Sequence, residues 1–164
     1  MRVGIYAGSF DPFHIGHENI AIRGTKFFDE LIIAIGVHPT KSTLYELQDR
    51  KVMIERTFEK YPNVTVESYD GLLVNYLEEL EALDDEDHFF LLRGLRDEAD
   101  FQGESKLAYA NRAISTTRNE TLFILTDPAL GHVSSTLIRE LAHTARGAPH
   151  PDEAPGHAIG PKPP

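Results

Sequence analysis

The 164-residue chain contains no cysteine. Disulfides, thiolate metal sites and a cysteine nucleophile are thereby excluded. No apolar run approaches the roughly 20 residues of a membrane span. The N-terminus lacks the basic-then-apolar order of a secretory signal. No membrane partner is expected, and a cytoplasmic enzyme or binding protein fits best. Basic residues are scarce: 16 Lys and Arg stand against 26 Asp and Glu, for a formal net charge of -10. Such a chain repels polyanions, so nucleic acid is not an expected partner. An anionic ligand would need a local cluster of Arg, Lys, His and helix N-termini, which makes the few basic positions informative. The common phosphate devices are missing too. There is no Gly-x-x-x-x-Gly-Lys-Ser/Thr run, no Gly-x-Gly-x-x-Gly run and no Gly-x-Ser-x-Gly elbow.

What is present reads as one domain with a real core, at 41% hydrophobic and 26% charged residues. Val3 to Ala7 is short, apolar and β-prone, and Glu18 to Phe28 carries Ile20, Gly24, Phe27 and Phe28 at helical spacing. Leu31 to Val37 is apolar at nearly every position, as a parallel strand covered on both faces requires. Leu47 to Tyr61 reads as a helix with Val52, Met53, Phe58 and Tyr61 inward, stopped by Pro62-Asn63. Strand Val64–Tyr69 and helix Leu72–Leu83 follow, the helix presenting Leu73, Tyr76, Leu77, Leu80 and Leu83 on one side. The acidic patch from Glu78 through Asp87 reads as a solvated helix end and loop, not a metal site. Strand Phe89–Leu92, helix Asp100–Ile114, strand Thr121–Leu125 and helix Ser134–Ala145 complete the pattern. Five βα steps without a repeat predict an α/β protein, a doubly wound five-stranded parallel sheet of Rossmann-like type.

In such a sheet the turns after the strands converge on one rim, where ligands bind. Gly8 to His17, Gly-Ser-Phe-Asp-Pro-Phe-His-Ile-Gly-His, is the first of these turns. His14 and His17 are three apart and share one face of a helical first turn, beside free N–H groups suited to phosphate. Gly8 is read as a close backbone approach to ligand, and Gly16 as room for something packing on the helix start. Lys41 follows the second strand, Arg93 and Arg96 the fourth, and Ser134-Ser135-Thr136 opens the last helix. Arg93-Gly-Leu-Arg96, directly after an apolar strand, needs an anion. The three hydroxyls are accounted for by N-capping alone, with Glu140 too late for a capping box, so their functional reading comes from their company. Two histidines without a third clustered ligand make a poor zinc site. One crevice holding two His, one Lys, two Arg and a hydroxyl-rich helix start suggests a bound triphosphate.

The Gly8–His17 run resembles the Gly-Thr/Ser-Phe-Asp-Pro…Gly-His motif of the nucleotidyltransferase superfamily. Within it, the chain is most similar to the bacterial phosphopantetheine adenylyltransferases, from about residue 2 to about residue 145. Gly36-Val-His-Pro-Thr-Lys41, Leu92-Arg-Gly-Leu-Arg-Asp-Glu-Ala-Asp-Phe101 with Glu104, Leu107–Arg112 and Val133-Ser-Ser-Thr136 carry the likeness. It implies that ATP and 4′-phosphopantetheine give dephospho-coenzyme A and pyrophosphate by in-line attack, with Mg²⁺ on the phosphates and no direct protein metal ligand. Carried over, His17 stabilises the transition state, with Lys41 and Arg96 beside it as catalytic groups. Ser9, Phe10, His14, His17, Arg96, Glu104, Ser134, Ser135 and Thr136 bind ATP. Ser9, Lys41, Leu72, Leu73, Arg93 and Asn111 bind the acceptor. A homohexamer and feedback binding of coenzyme A are implied in the same way.

The likeness has departures. Gly103 stands where that family usually has an aromatic. Phe-His-Ile-Gly-His and Ser-Ser-Thr-x-Ile-Arg, Ser134 to Arg139, lean toward the nicotinamide mononucleotide adenylyltransferases. Transfer to another phosphorylated acceptor, such as nicotinamide mononucleotide, therefore stays open, as does a non-enzymatic nucleotide binder.

The nucleotidyltransferase domain is expected to span 1–145. Residues 146–164 hold six of the ten prolines and little apolar content, so they read as a tail without a core. Deleting 146–164 should leave melting temperature and turnover nearly unchanged. A large drop in either, by thermal denaturation or steady-state assay, would mean that the tail docks.

Overall fold

The computed structural model describes residues 1–147 apart from 39, 41 and 85. Five strands, β1 (Arg2–Gly8), β2 (Glu30–Val37), β3 (Val64–Asp70), β4 (His88–Leu95) and β5 (Glu120–Leu125), alternate with five helices. The helices are α1 (Ile15–Gly24), α2 (Leu47–Thr57), α3 (Leu73–Leu83), α4 (Glu98–Ile114) and α5 (Ser135–Gly147). All strands pair in parallel in the order β3-β2-β1-β4-β5. The chain winds outward from β1 through β2 to β3, then returns to β4 on the other side of β1. The doubly wound α/β expectation holds. Among the described residues no helix is long and apolar enough to cross a membrane.

The unbroken apolar runs are explained by two-sided burial. On β2, Leu31, Ile33 and Ile35 pack into one cluster with Ile20 and Ala21 of α1 and Ile54 of α2. Ile32 and Ala34 face the other cluster, with Tyr76 and Leu77 of α3. Period-two alternation thus serves two cores at once, because neither face of β2 meets water along Leu31–Ile35.

Several helix expectations need correction. The first helix starts at Ile15 and stops at Gly24, not Phe28, with Thr25 as its cap. Phe27 consequently lies outside the helix and is exposed. Helix α2 ends at Thr57; its sealed residues are Arg50 and Ile54, while Val52 is exposed. Leu83 is exposed at the end of α3, whose buried residues are Val74, Tyr76 and Leu77. A short 3-10 turn, Pro128–Leu130, precedes α5, which runs to Gly147. Arg93 to Leu95 belong to β4 itself.

Helix α1 lies close on the sheet because a glycine stands on each side of their contact, Gly94 on β4 and Gly24 on α1. A Cβ on Gly94 would come 2.8 Å from Ile20 Cγ1, and one on Gly24 2.6 Å from Leu92 Cδ2. Gly94→Ala should therefore destabilise the protein by roughly 1–3 kcal/mol through overpacking. It should also lower turnover by displacing the helix that carries His17. Chemical denaturation beside a rate assay checks both; an unchanged midpoint would contradict the contact.

Candidate active site

A cavity of about 430 Å³ opens outside the carboxyl ends of β1 and β4. That is the point where strand order reverses, the usual ligand crevice of an open α/β sheet. Ala7, Gly8 and Ser9 reach it from the end of β1, and Arg93 and Gly94 from β4. His14, Gly16 and His17 come from the start of α1, and Ser134, Ser135, Thr136 and Arg139 from the start of α5.

The loop from Ser9 to Phe13 is held by main-chain acceptors turned toward neighbouring elements. Arg50 Nη1 of α2 donates to the Ser9 carbonyl at 2.6 Å. Arg139 Nη1 donates to the Asp11 carbonyl at 2.7 Å, and Ser135 Oγ to the Pro12 carbonyl at 2.9 Å. The Asp11 carboxylate, 3% exposed, accepts from the backbone N–H of Leu44 at 2.8 Å and Tyr45 at 2.9 Å. Phe10 takes a left-handed φ of 46°. Its buried ring meets Tyr6, Phe13 and His17 edge-on or at a tilt, and a Cβ on Gly8 would strike it at 3.0 Å. Gly8 thus makes room for the Phe10 ring, and it also lines the cavity.

The two histidines form a reciprocal cap. His14 is the N-cap of α1, and its Nδ1 accepts from the Gly16 N–H at 3.1 Å. His17 Nδ1 accepts from the His14 N–H at 3.3 Å, and the rings stack 3.7 Å apart. A Cβ on Gly16 would fall 2.9 Å from His14 Cε1, so the group packing on the helix start is His14. Because a backbone N–H can only donate, both Nδ1 atoms are acceptors. The ring protons therefore sit on Nε2. Burial holds both rings neutral: His14 is lowered to about 4 by desolvation and then Arg96, and His17 to about 3 by desolvation, His14 and Arg96. The site offers two neutral N–H donors.

The arginines carry their own anions. Arg93 donates from Nε to Glu104 at 2.5 Å and from Nη2 at 3.0 Å, with Nη1 on the Ala7 carbonyl at 2.6 Å. Arg96 pairs with Asp100 through two side-chain bonds of 2.8 Å, which holds the Asp100 carboxyl below its usual range. The anion that the sequence demanded of the Arg-Gly-Leu-Arg run is internal, supplied one turn into α4 and beyond. Ser134 Oγ caps α5 by accepting from the Leu137 N–H at 3.1 Å, and Thr136 Oγ1 accepts from Arg139.

Ser9, Phe10, His14, His17, Arg93, Arg96, Glu104, Ser134, Ser135 and Thr136 all line the one cavity. Leu73 and Asn111 instead line a smaller neighbouring recess, which shares Arg93 and Glu104 with it. Leu72 caps α3, is 58% exposed and lines neither. Lys41 lies outside the described residues. Sequence reasoning assigned no role to Asp100, Arg139 or Tyr6, which line the cavity, nor to Arg50 and Asp11 behind it. The pairing of Arg96 with Asp100 four residues on spans the start of α4, since Arg96 precedes the N-cap Asp97, so helical spacing did not announce it. Arg50, a buried arginine on α2, carried no such signal either.

The cytidylyltransferase-like family profile matches residues 5–141. The phosphopantetheine adenylyltransferase of Flavobacterium johnsoniae is 42% identical over 141 residues, covering 86% of this chain and 88% of the relative. That of Caldanaerobacter subterraneus subsp. tengcongensis is 39% identical over 142 residues, covering 87% and 84%. The chain belongs to the phosphopantetheine adenylyltransferase family. A solved bifunctional NMN adenylyltransferase/ADP ribose pyrophosphatase of Francisella tularensis superposes with a TM-score of 0.68 at 14% identity, over 87% of this chain and 42% of that one. That likeness concerns the fold alone, and it agrees with the Rossmann-like nucleotidyltransferase expectation.

Native His14 and His17 stay neutral where an unfolded histidine, near 6.5, takes a proton. Their contribution to stability is thus fully present above pH 6.5 and lost as pH falls through about 4 and 3. An imidazole NMR titration should show both rings neutral at pH 6.5 and protonating only toward those lower values. A ring titrating at the ordinary value would contradict the geometry.

Proposed function

We propose that this chain transfers the adenylyl group of ATP to 4′-phosphopantetheine, giving dephospho-coenzyme A and pyrophosphate in coenzyme A biosynthesis. The observation that carries the reading is the neutral His14–His17 pair facing the hydroxyl-rich start of α5 across one crevice, in a member of this family. An acceptor phosphate oxygen attacks the α-phosphorus in line; the bond from that phosphorus to the bridging oxygen breaks, and pyrophosphate leaves. No covalent nucleophile is needed, so positioning and charge stabilisation supply the rate.

His17, with its proton on Nε2, donates to the charge that builds on the α-phosphoryl oxygens. His14, Ser9, Ser134, Ser135, Thr136 and Arg96 hold the nucleotide phosphates along the cavity wall, where Phe10 and Glu104 also stand. Arg93 and Lys41 hold the acceptor phosphate, and Leu73 and Asn111 line the recess that would take the pantetheine arm. Among the described residues no cluster of three His, Asp or Glu is spaced to hold a metal ion. The carboxylates in the cavity, Asp100 and Glu104, are tied to arginines. Mg²⁺ fits as a passenger on the triphosphate, where it would neutralise phosphate charge.

The named relatives favour phosphopantetheine over nicotinamide mononucleotide as acceptor. A homohexamer in the cytoplasm completes the proposal. Its support is α4, which has no buried residue and exposes Phe101, Leu107, Tyr109 and Ile114.

Purified protein should form dephospho-coenzyme A from ATP, Mg²⁺ and phosphopantetheine, and release less pyrophosphate with other acceptors. His17→Ala should lower kcat about 10²-fold or more while ATP binding by calorimetry is kept. Absence of the product from the parent protein would sink the reading.

A further inference from the structure

We propose that the Tyr6 hydroxyl is a further substrate contact, donating a hydrogen bond to a phosphate oxygen in the main cavity. The inference deepens the proposed function and rests on phosphate-bearing substrates occupying that cavity.

Tyr6 lies on β1, in register with Ile33 of β2 and Leu92 of β4. Its ring is core: it meets Phe10 at 5.3 Å and His17 at 6.3 Å, both edge-on, and the residue is only 5% exposed. A ring so placed needs no oxygen to pack. A phenylalanine would fill the same space without desolvating a hydroxyl, and buried tyrosines normally find a partner for theirs.

Among the described residues, no protein group bonds the Tyr6 hydroxyl. The sealed side-chain atoms without a partner are Arg50 Nε and Glu81 Oε2, and the Tyr6 oxygen is not one of them. Among the described residues the hydroxyl is therefore neither satisfied nor closed off, and Tyr6 lines the cavity. Burial raises its ionisation far above the working range, with Arg93 opposing and Glu104 adding. The group is a donor at every relevant pH. Its neighbours decide the ligand: the Nε2–H of His17 and the guanidinium of Arg93 are donors as well, and converging donors fit an anionic oxygen.

The test is Tyr6→Phe in the full chain, which deletes one oxygen and keeps the ring. Melting temperature should stay within about 2 °C of the parent. For turnover of ATP and phosphopantetheine, kcat/KM should fall about 10-fold or more, the loss expected for a hydrogen bond to a charged group. Weaker ATP binding by calorimetry would place the contact on the nucleotide; unchanged ATP binding with a higher acceptor KM would place it on the acceptor phosphate. A fall in kcat alone would place it on the transferring phosphoryl group. Any of the three supports the proposal. It is overturned if kcat/KM stays within about twofold of the parent, or if the loss comes with a matching fall in melting temperature. Should the parent itself make no dephospho-coenzyme A, the functional reading fails separately. ATP affinity then decides for Tyr6, and an unchanged value overturns the contact.

Discussion

The site depends on how residues 9 to 12 are held. Three of their carbonyls accept side-chain donors from outside the loop, Arg50 on Ser9, Arg139 on Asp11 and Ser135 on Pro12. The buried Asp11 carboxylate takes two more N–H donors from residues 44 and 45. A loop has no ladder to satisfy its polar groups, so each buried acceptor must find a donor elsewhere. Here those donors come from α2, the segment before it and α5, which ties three separate parts of the chain to one short turn. Loss of any one donor leaves an unsatisfied carbonyl, at a cost of about 1–3 kcal/mol. The energy that satisfies the backbone also fixes where the crevice walls stand relative to His17, which is the preorganisation that phosphoryl-type transfer demands.

Charge is handled with equal economy in a chain of net charge -10. Arg93 and Arg96 each hold a carboxylate of α4, and the histidines are kept neutral by burial and by Arg96. An entering phosphate thus meets neutral N–H and O–H donors beside the partly exposed Arg96. It reaches the Arg93 guanidinium through the remaining N–H of Nη1 and of Nη2, since Glu104 engages Nε and one Nη2 hydrogen and Ala7 one Nη1 hydrogen. The cost of stripping water from a cavity lined with arginines is lowered by this internal pairing.

How much of this was legible in the sequence follows the range of the interactions. The unbroken run Leu31–Val37 announced a two-faced parallel strand, and the alternation of segments announced the doubly wound sheet. Convergence of Ser9, His14, His17, Arg93, Arg96 and the Ser134–Thr136 run followed from topology alone, because every turn after a strand faces one rim. Helix ends were less legible. Phe27 and Phe28 continue the apolar spacing of α1, yet Gly24 and Thr25 end the helix and leave one ring exposed and the other buried. Contacts between side chains distant in sequence were not legible at all. Nothing in the spacing of Arg50, 41 residues after Ser9, or of Arg139, 128 after Asp11, marks them as loop anchors. Tyr6 was hidden differently: at an apolar strand position its ring accounts for its presence, and only an oxygen without a partner among the described residues distinguishes it from phenylalanine.

The same anchors explain a conformation the local sequence disfavours. Phe10 has a left-handed φ of 46°, a region that costs a bulky residue of order 1–3 kcal/mol. Relaxing it would swing the ring out of the pocket that Gly8 leaves open against Tyr6, Phe13 and His17. The carbonyls on either side are pinned by Arg50 and Arg139, so the backbone cannot rotate without breaking one bond or the other. Burial of the ring offsets the strain, worth about 1.5–3 kcal/mol for a phenylalanine side chain. In return the ring stands edge-on to His17 at 5.0 Å and helps seal the face of the imidazole away from water. That desolvation is the main cause holding His17 neutral. The strained residue, the buried anchors and the uncharged histidine are therefore parts of one arrangement, in which the backbone of the loop sets the protonation state of the group that faces the substrate.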